Sequence, residues 1–262
     1  MSEATNYAAS GGVATITLHR PEKLNAFNAA MFAGIRDGMD RAEVDDTVRV
    51  LVFTGEGRAF SSGQDLTENL PRDADGKLDL APPLARDYNP LALRLMDYPK
   101  ITVAALNGMA VGAAANLALA CDIVVAARSS YFQQAFARIG LAPDAGGTWL
   151  LPRIVGSKRA LALALTGDKI TAEEAQSMGL VYKVFDDASF AGDLAAFVGK
   201  FSSGPAMAYR VIKQAFARSA GNDFATQLAL ESTLQGELGR TEDFMEAVIA
   251  FMQKRPPVFR GR

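Results

Sequence analysis

The amino-acid sequence predicts an α/β fold in which a largely parallel sheet is crossed by helices and followed by a helical C-terminal part. Three observations carry this. Residues 48–53, 101–106 and 123–127 are short, mainly apolar runs, interrupted only by Arg49 and Thr102, with the length and β-branched content of strands covered on both faces. Between them lie stretches whose apolar residues recur at helical spacing, and repeated alternation of this kind implies parallel pairing through crossover helices. From Ser157 onward the strand patterns fade and helical ones dominate.

The first element is residues 13–18, where Val, Ile and Leu alternate with Ala and Thr as in a strand. Arg20-Pro21 ends it, because proline cannot continue the ladder. Asn28 is suited to cap a helix on which Met31, Phe32, Ile35 and Met39 share one face. The strand at 48–53 closes at Thr54-Gly55-Glu56-Gly57. Residues 68–83 hold three prolines and three aspartates and read as a mobile surface excursion. Helical spacing returns over 88–96. An alanine-rich helix from about Gly112 separates the strands at 101–106 and 123–127. Thr171-Ala172-Glu173-Glu174 has the form of a capping box whose helix should stop at Gly179. Pro205 can open a helix through Ala217, and two more are expected over 223–239 and 241–253. This predicts a core over residues 1–198 and a helical region over 199–262.

Composition narrows the function. A chain of 262 residues, 49% hydrophobic and 21% charged, hides roughly 70–75% of its unfolded surface and needs no disulfide or structural metal. The single cysteine, Cys121, removes a disulfide framework and any cysteine-based zinc site. With 29 acidic and 27 basic residues the net charge is −2, which argues against nucleic acid or anionic lipid as an overall partner. The N-terminus shows no signal-peptide pattern, so a cytoplasmic location is expected. The apolar stretch 101–127 is long enough to cross a bilayer, but Asn107-Gly108, Gly112, Asn116 and Asp122 break it, and no membrane partner is expected. His19 is the only histidine and sits at a strand end, solvated or packed, with no motif for a Ser-His-Asp triad.

Three segments could carry chemistry. Ala59-Phe60-Ser61-Ser62-Gly63-Gln64-Asp65-Leu66 follows a buried strand, its small residues allow close backbone approach, and Asp65 could cap a short helix whose free N–H groups hold an oxyanion. Asn107 to Asn116 again follows a strand and opens a helix with side chains small enough to admit a substrate at its N-terminus. Leu141-Ala142-Pro143-Asp144-Ala145-Gly146-Gly147-Thr148 sets Asp144 among apolar residues with no cation within two positions. Burial would raise its pKa and make it a proton shuttle. Taken alone, the first segment is a weak signal, and the second and third read better as packing and as a cap or turn.

All three occur in order. With HRPEKLNAFN, FTGEGRAFSSGQDL, NGMAVGAAANLALACDIVVAA, GLAPDAGGTWLLPRIVG and ALALTGDKITAEEAQSMGLV, the chain resembles the crotonase, or enoyl-CoA hydratase/isomerase, superfamily over nearly its whole length. The resemblance implies a crotonase-like spiral of ββα units and a helical C-terminal region that forms homotrimers, often paired into hexamers. It also implies acyl-CoA substrates whose thioester oxygen lies between two main-chain N–H groups, here those of Gln64 and Ala113. No separate cofactor is implied, since coenzyme A is part of the substrate. Glu22, Lys23, Leu24, Ser61, Gln64, Asp65 and Leu66 fall at the adenine and pantetheine positions. Tyr88 and Asn89 fall where a residue lines the acyl pocket or packs a helix. Lys254 and the basic tail to Arg262 fall where similar proteins approach a neighbouring subunit's CoA phosphates.

The departures from the hydratase pattern are as informative. Where such hydratases carry two glutamates that activate water, this chain has Asn116 and Phe136. Asp144 stands where they usually have glycine. Members with an aspartate there include double-bond isomerases and enzymes that isomerise a phenylacetyl-CoA ring epoxide, to which this sequence is most similar. The expectation is an acyl-CoA isomerase with Asp144 as its one acid/base group. A hydratase with a non-standard site and a non-catalytic acyl-CoA-binding subunit are the alternatives.

Overall fold

The computed structural model describes residues 4–68 and 70–262; residues 1–3, part of the N-terminal stretch read for a leader, and Asn69, inside the 68–83 excursion, lie outside the described residues. The chain enters as a hairpin in which β1 (Thr5–Ser10) pairs antiparallel with β2 (Val13–Leu18). Ala14, Ile16 and Leu18 face the core, as their alternation requires. The Asn28 side chain accepts the Met31 N–H at 2.9 Å and starts α1 (Ala29–Val44), which buries Met31, Phe32, Ile35 and Met39.

Three times a long strand turns directly into a short one. β3 (Val50–Gly55) leads to β4 (Ala59–Ser61), β5 (Ile101–Leu106) to β6 (Met109–Val111), and β7 (Ile123–Ala127) to β8 (Tyr131–Gln133). The long strands build a six-stranded sheet of order β1-β2-β3-β5-β7-β10, parallel throughout except for β1 with β2. The short ones build a second sheet of order β4-β6-β8-β9, parallel until its last pair. Within β3, Leu51 and Phe53 join one apolar cluster while Val50 and Val52 join another, so the main sheet is covered on both faces.

Because β4, β6 and β8 are neighbours, the segments that leave their C-terminal ends emerge side by side. This juxtaposition positions the candidate site. From β4 the chain passes through the excursion into α2 (Ala81–Pro83), a π-helical turn at Leu84–Tyr88 and α3 (Asn89–Asp97). β6 leads into α4 (Ala113–Leu119), and β8 into a 3₁₀ turn (Ala135–Ile139), the Asp144 segment, α5 (Gly147–Val155) and α6 (Ser157–Thr166). The expected long apolar stretch is thus divided into β5, β6, α4 and β7, and no described helix is long and apolar enough to cross a membrane.

Several expectations are corrected. The strand at 48–53 begins only at Val50. Strands do not end at Ser157, since β9 (Lys169–Thr171) and β10 (Lys183–Phe185) follow; three-residue strands are too short to show a period. Between them Thr171 and Glu174 make the capping box of α7 (Ala172–Ser177). The remaining helices are α8 (Phe190–Ser202), α9 (Ala206–Ser219), α10 (Phe224–Leu238) and α11 (Glu242–Met252). The division after residue 198 falls inside α8, whose Phe197 and Val198 pack on the main sheet. Helix α10, by contrast, buries none of its residues within the chain.

Candidate active site

The first wall of the site is the loop after β4. Asn25, fully buried, donates to Glu56 O and Ala59 O at 2.9 and 2.8 Å, and accepts from Arg20 N at 2.9 Å, which folds residues 20–25 against the β3–β4 turn. Ser62 N then donates to Leu24 O, Phe27 N to Gly63 O and Asp65 N to Phe27 O. Two stretches separated by about forty residues in the chain, 22–27 and 61–66, are therefore laced together, bringing Glu22, Lys23 and Leu24 beside Ser61, Gln64, Asp65 and Leu66.

Not all of these side chains face outward. Ser61 is completely buried and its hydroxyl accepts the Gly63 N–H at 3.1 Å. Asp65 is corrected from a helix cap to a turn former: its carboxylate takes the Thr67 N–H and hydroxyl, and pairs with Arg20 at 2.9 Å, with no helix following. The Thr67 hydroxyl and Arg20 hold it down at about 2, against the opposing effect of burial. Arg20, whose other nitrogen donates to Ala26 O at 2.7 Å, is a brace that sequence reasoning missed; only its place in HRPEKLN marked it. Gln64 is half-exposed, and Leu66, 59% exposed, faces outward.

The two main-chain N–H groups expected to act as oxyanion donors, those of Gln64 and Ala113, follow two glycines. Gly63 has φ +91° and Gly112 φ +58°, backbone conformations that side chains disfavour. A Cβ on Gly63 would lie 2.8 Å from Val111 O and 3.8 Å from Ala113 N, so the Gln64 loop and the start of α4 lie against each other. Ala113 is the first residue of α4 and its N–H has no carbonyl one turn back; the Gln64 N–H finds no acceptor among the described backbone groups. Two free N–H groups on neighbouring loops can hold an anionic oxygen.

The second wall carries Asp144. Ala145 and Gly146 both have positive φ, 47° and 84°, so the chain bends sharply after Asp144 before α5 begins. Its main-chain oxygen accepts from Gly147 N at 2.8 Å and from Asn116 Nδ2 at 2.9 Å. Asn116 is fully buried, and its Oδ1 accepts from Gln134 at 2.8 Å. Glycine is needed at 147 because a Cβ there would come within 2.2 Å of the Asn116 amide. Thus Asn116, read in the sequence only as a missing glutamate, braces the Asp144 turn, and Gln134, which no motif marked, braces Asn116. Phe136 lies over Gly112, its ring about 3.6 Å from where a Cβ would stand.

The Asp144 carboxyl is half-buried, with Oδ1 buried and unpaired among the described residues. Burial pushes it up to about 6, with no cation to offset it. Such a group is a base near neutral pH and returns a proton readily.

The other candidates are placed apart from this centre or wholly inside it. Tyr88 is 2% exposed, with its ring edge-on to Phe27 and Phe32, while Asn89 is exposed. Lys254 is exposed after α11. The tail beyond it folds back on its own chain: Asp243 accepts from Arg260 N and Gly261 N, Arg255 pairs with Glu246 and Arg262 with Glu242.

A largely parallel main sheet, a second sheet built from its strand extensions and helices at the C-terminus make up the α/β fold of crotonase-like enzymes. The sequence profile of the enoyl-CoA hydratase/isomerase family matches residues 8–262, and the chain belongs to that family of enzymes. It is 49% identical to a Rhodobacter capsulatus protein named "Probable enoyl-CoA hydratase", over 98% of this chain and 97% of that one. It is 44% identical to 1,2-epoxyphenylacetyl-CoA isomerase of Escherichia coli, over 96% of each. A crystal structure of enoyl-CoA hydratase from Bacillus anthracis superimposes with a TM-score of 0.92 at 28% identity, covering 99% of this chain and 100% of that one.

Proposed function

We propose that this protein is an acyl-CoA isomerase in which Asp144 is the one acid/base group and the main-chain N–H groups of Gln64 and Ala113 hold the thioester oxygen. The observation that carries this is the Asp144 carboxyl itself: half-buried, unpaired at Oδ1 and raised to about 6. Asp144 removes a proton from one carbon of the acyl group, the two N–H groups stabilise the charge that moves onto the thioester oxygen, and Asp144 returns the proton at another carbon. Isomerisation balances with that single proton, and no water is consumed. Asn116 and Phe136 offer no second carboxylate to activate one. The likeness to an epoxyphenylacetyl-CoA isomerase supports a ring epoxide of the phenylacetyl-CoA type as substrate, with enoyl-CoA double-bond shifts as the related reaction.

The proposal includes the assembly. Residues 199–262 serve as the trimer-forming region, supported by α10, which has no buried residue of its own, and by the exposed Phe244, Met245, Ile249 and Phe251 of α11. An apolar groove of about 960 Å³, lined in part by Trp149, Tyr182, Phe201 and Phe216, lies on the same molecule.

The test is turnover of crotonyl-CoA, a 3-enoyl-CoA and the phenylacetyl-CoA ring epoxide by the wild type and by Asp144→Asn. Epoxide and 3-enoyl turnover lost in the variant, with CoA-ester binding retained, is the expected result. Rapid crotonyl-CoA hydration that survives the substitution would point to a hydratase and remove the isomerase reading.

A further inference from the structure

Tyr88 ends the π-helical turn, where the Asn89 N–H reaches back to Leu84 O. Its ring is fixed: Phe27 and Phe32 stand edge-on at 6.1 and 4.6 Å between centroids, and the adjacent Asp87 is clamped by Arg36 at 3.2 Å and Arg86 at 2.8 Å. Yet its hydroxyl, in a residue 2% exposed, has no partner among the described residues. A buried hydroxyl without a hydrogen bond opposes folding, and phenylalanine would keep the same packing without that penalty. Asp144 Oδ1 is a second buried atom in the same condition, and Asp144 is the charged group that acts most strongly on Tyr88, ahead of Asp87, Glu68 and Asp65. Burial and these carboxylates hold the phenol far above its ordinary range, so it can donate a hydrogen bond but not act as a base.

Two unpaired polar atoms, one a fixed donor and the other on the proposed proton carrier, flank one apolar cluster, which includes both Tyr88 and Ala145, the residue next to Asp144, and they do not bond to each other. We propose that the Tyr88 hydroxyl donates a hydrogen bond to an oxygen atom carried by the acyl group of the substrate, so that the site selects acyl-CoA esters bearing such an oxygen over plain hydrocarbon chains. The proposal rests on the reading of Asp144 as the acid/base group and adds the substrate feature that the pocket recognises. Tyr88 keeps its proton throughout, and no bond to it forms or breaks. Discrimination follows because a hydrocarbon chain leaves the buried donor unpaired, whereas an epoxide oxygen satisfies it.

The test compares Tyr88→Phe with the wild type on two probes, the phenylacetyl-CoA ring epoxide and a straight 3-enoyl-CoA, with Asp144→Asn run alongside. The readout is the ratio of kcat/KM for the epoxide to that for the enoyl ester. Loss of one hydrogen bond to substrate predicts a fall in this ratio of about 10- to 100-fold in Tyr88→Phe, with the free variant melting at or above the wild-type Tm. An unchanged ratio, or a lowered Tm that reveals a structural partner for the hydroxyl, overturns the proposal. Failure of the wild type to turn over the epoxide overturns it too. Those outcomes leave the Asp144 reading standing so long as Asp144→Asn abolishes the double-bond shift; epoxide and enoyl turnover that both survive Asp144→Asn sink that reading, and this one with it.

Discussion

Replacing Asp144 by asparagine should make the folded protein more stable, and the gain should depend on pH. The carboxyl is lifted from 3.8 to about 6 by burial. At about 1.36 kcal/mol per pH unit this corresponds to about 3 kcal/mol against the folded state when the group is ionised. Asp144 is only half-buried, so solvent screens part of this, and about 1–2 kcal/mol is the working figure. Below about pH 4 the group is largely protonated in the folded chain and increasingly so in the unfolded one, and the penalty fades. Between about pH 4 and 6 the unfolded chain has released its proton while the folded chain retains it, so wild-type stability falls as pH rises. Above about pH 7 both are ionised and the penalty is complete. Urea unfolding followed through Trp149, the one tryptophan, at fixed protein concentration from pH 4 to 8 reads the difference directly. A variant no more stable than wild type at pH 8, or stabilised equally at every pH, would show that the carboxyl is solvated or that the effect is packing, and the proton-carrier assignment would lose its physical basis.

The same ionisation governs rate: isomerase kcat/KM should fall about tenfold per pH unit below about 6 and level off above it, and a profile flat to pH 5 would contradict a raised Asp144. Asn116→Ala removes the amide that donates to Asp144 O at 2.9 Å and leaves Gln134 without its acceptor. Denaturation should report a loss of about 1–3 kcal/mol, and kcat should fall at least about tenfold with acyl-CoA binding retained; full activity would mean the turn holds itself. Gly63→Ala forces a Cβ to 2.8 Å from Val111 O at φ +91°. Displacing the Gln64 N–H should lower kcat about 100-fold with little change in binding of a CoA product, and normal kcat would remove Gln64 from the oxyanion hole.

The sequence by itself determined the α/β class, the places of β2, β5, β7, α1, α7 and the late helices, and the residues worth testing. These are local properties: a buried strand needs an apolar run, a helix needs spacing and a cap, and Asn28, Thr171 and Asp223 sit where capping requires them. Only the tertiary structure decided where the candidates lie and what they touch. The short strands β4, β6 and β8 carry no period in three residues, yet their pairing sets the Gln64 loop against the start of α4 and orders the segments leaving all three. Burial is a property of the packed chain, so the raised Asp144, the inward turn of Ser61 and Asp65 and the unpaired Tyr88 hydroxyl could not be read from neighbouring residues. Asn116 shows the difference most plainly: its place in the chain says that it offers no carboxylate, whereas the contact it makes across 28 positions says that it braces the turn carrying Asp144, the proposed base.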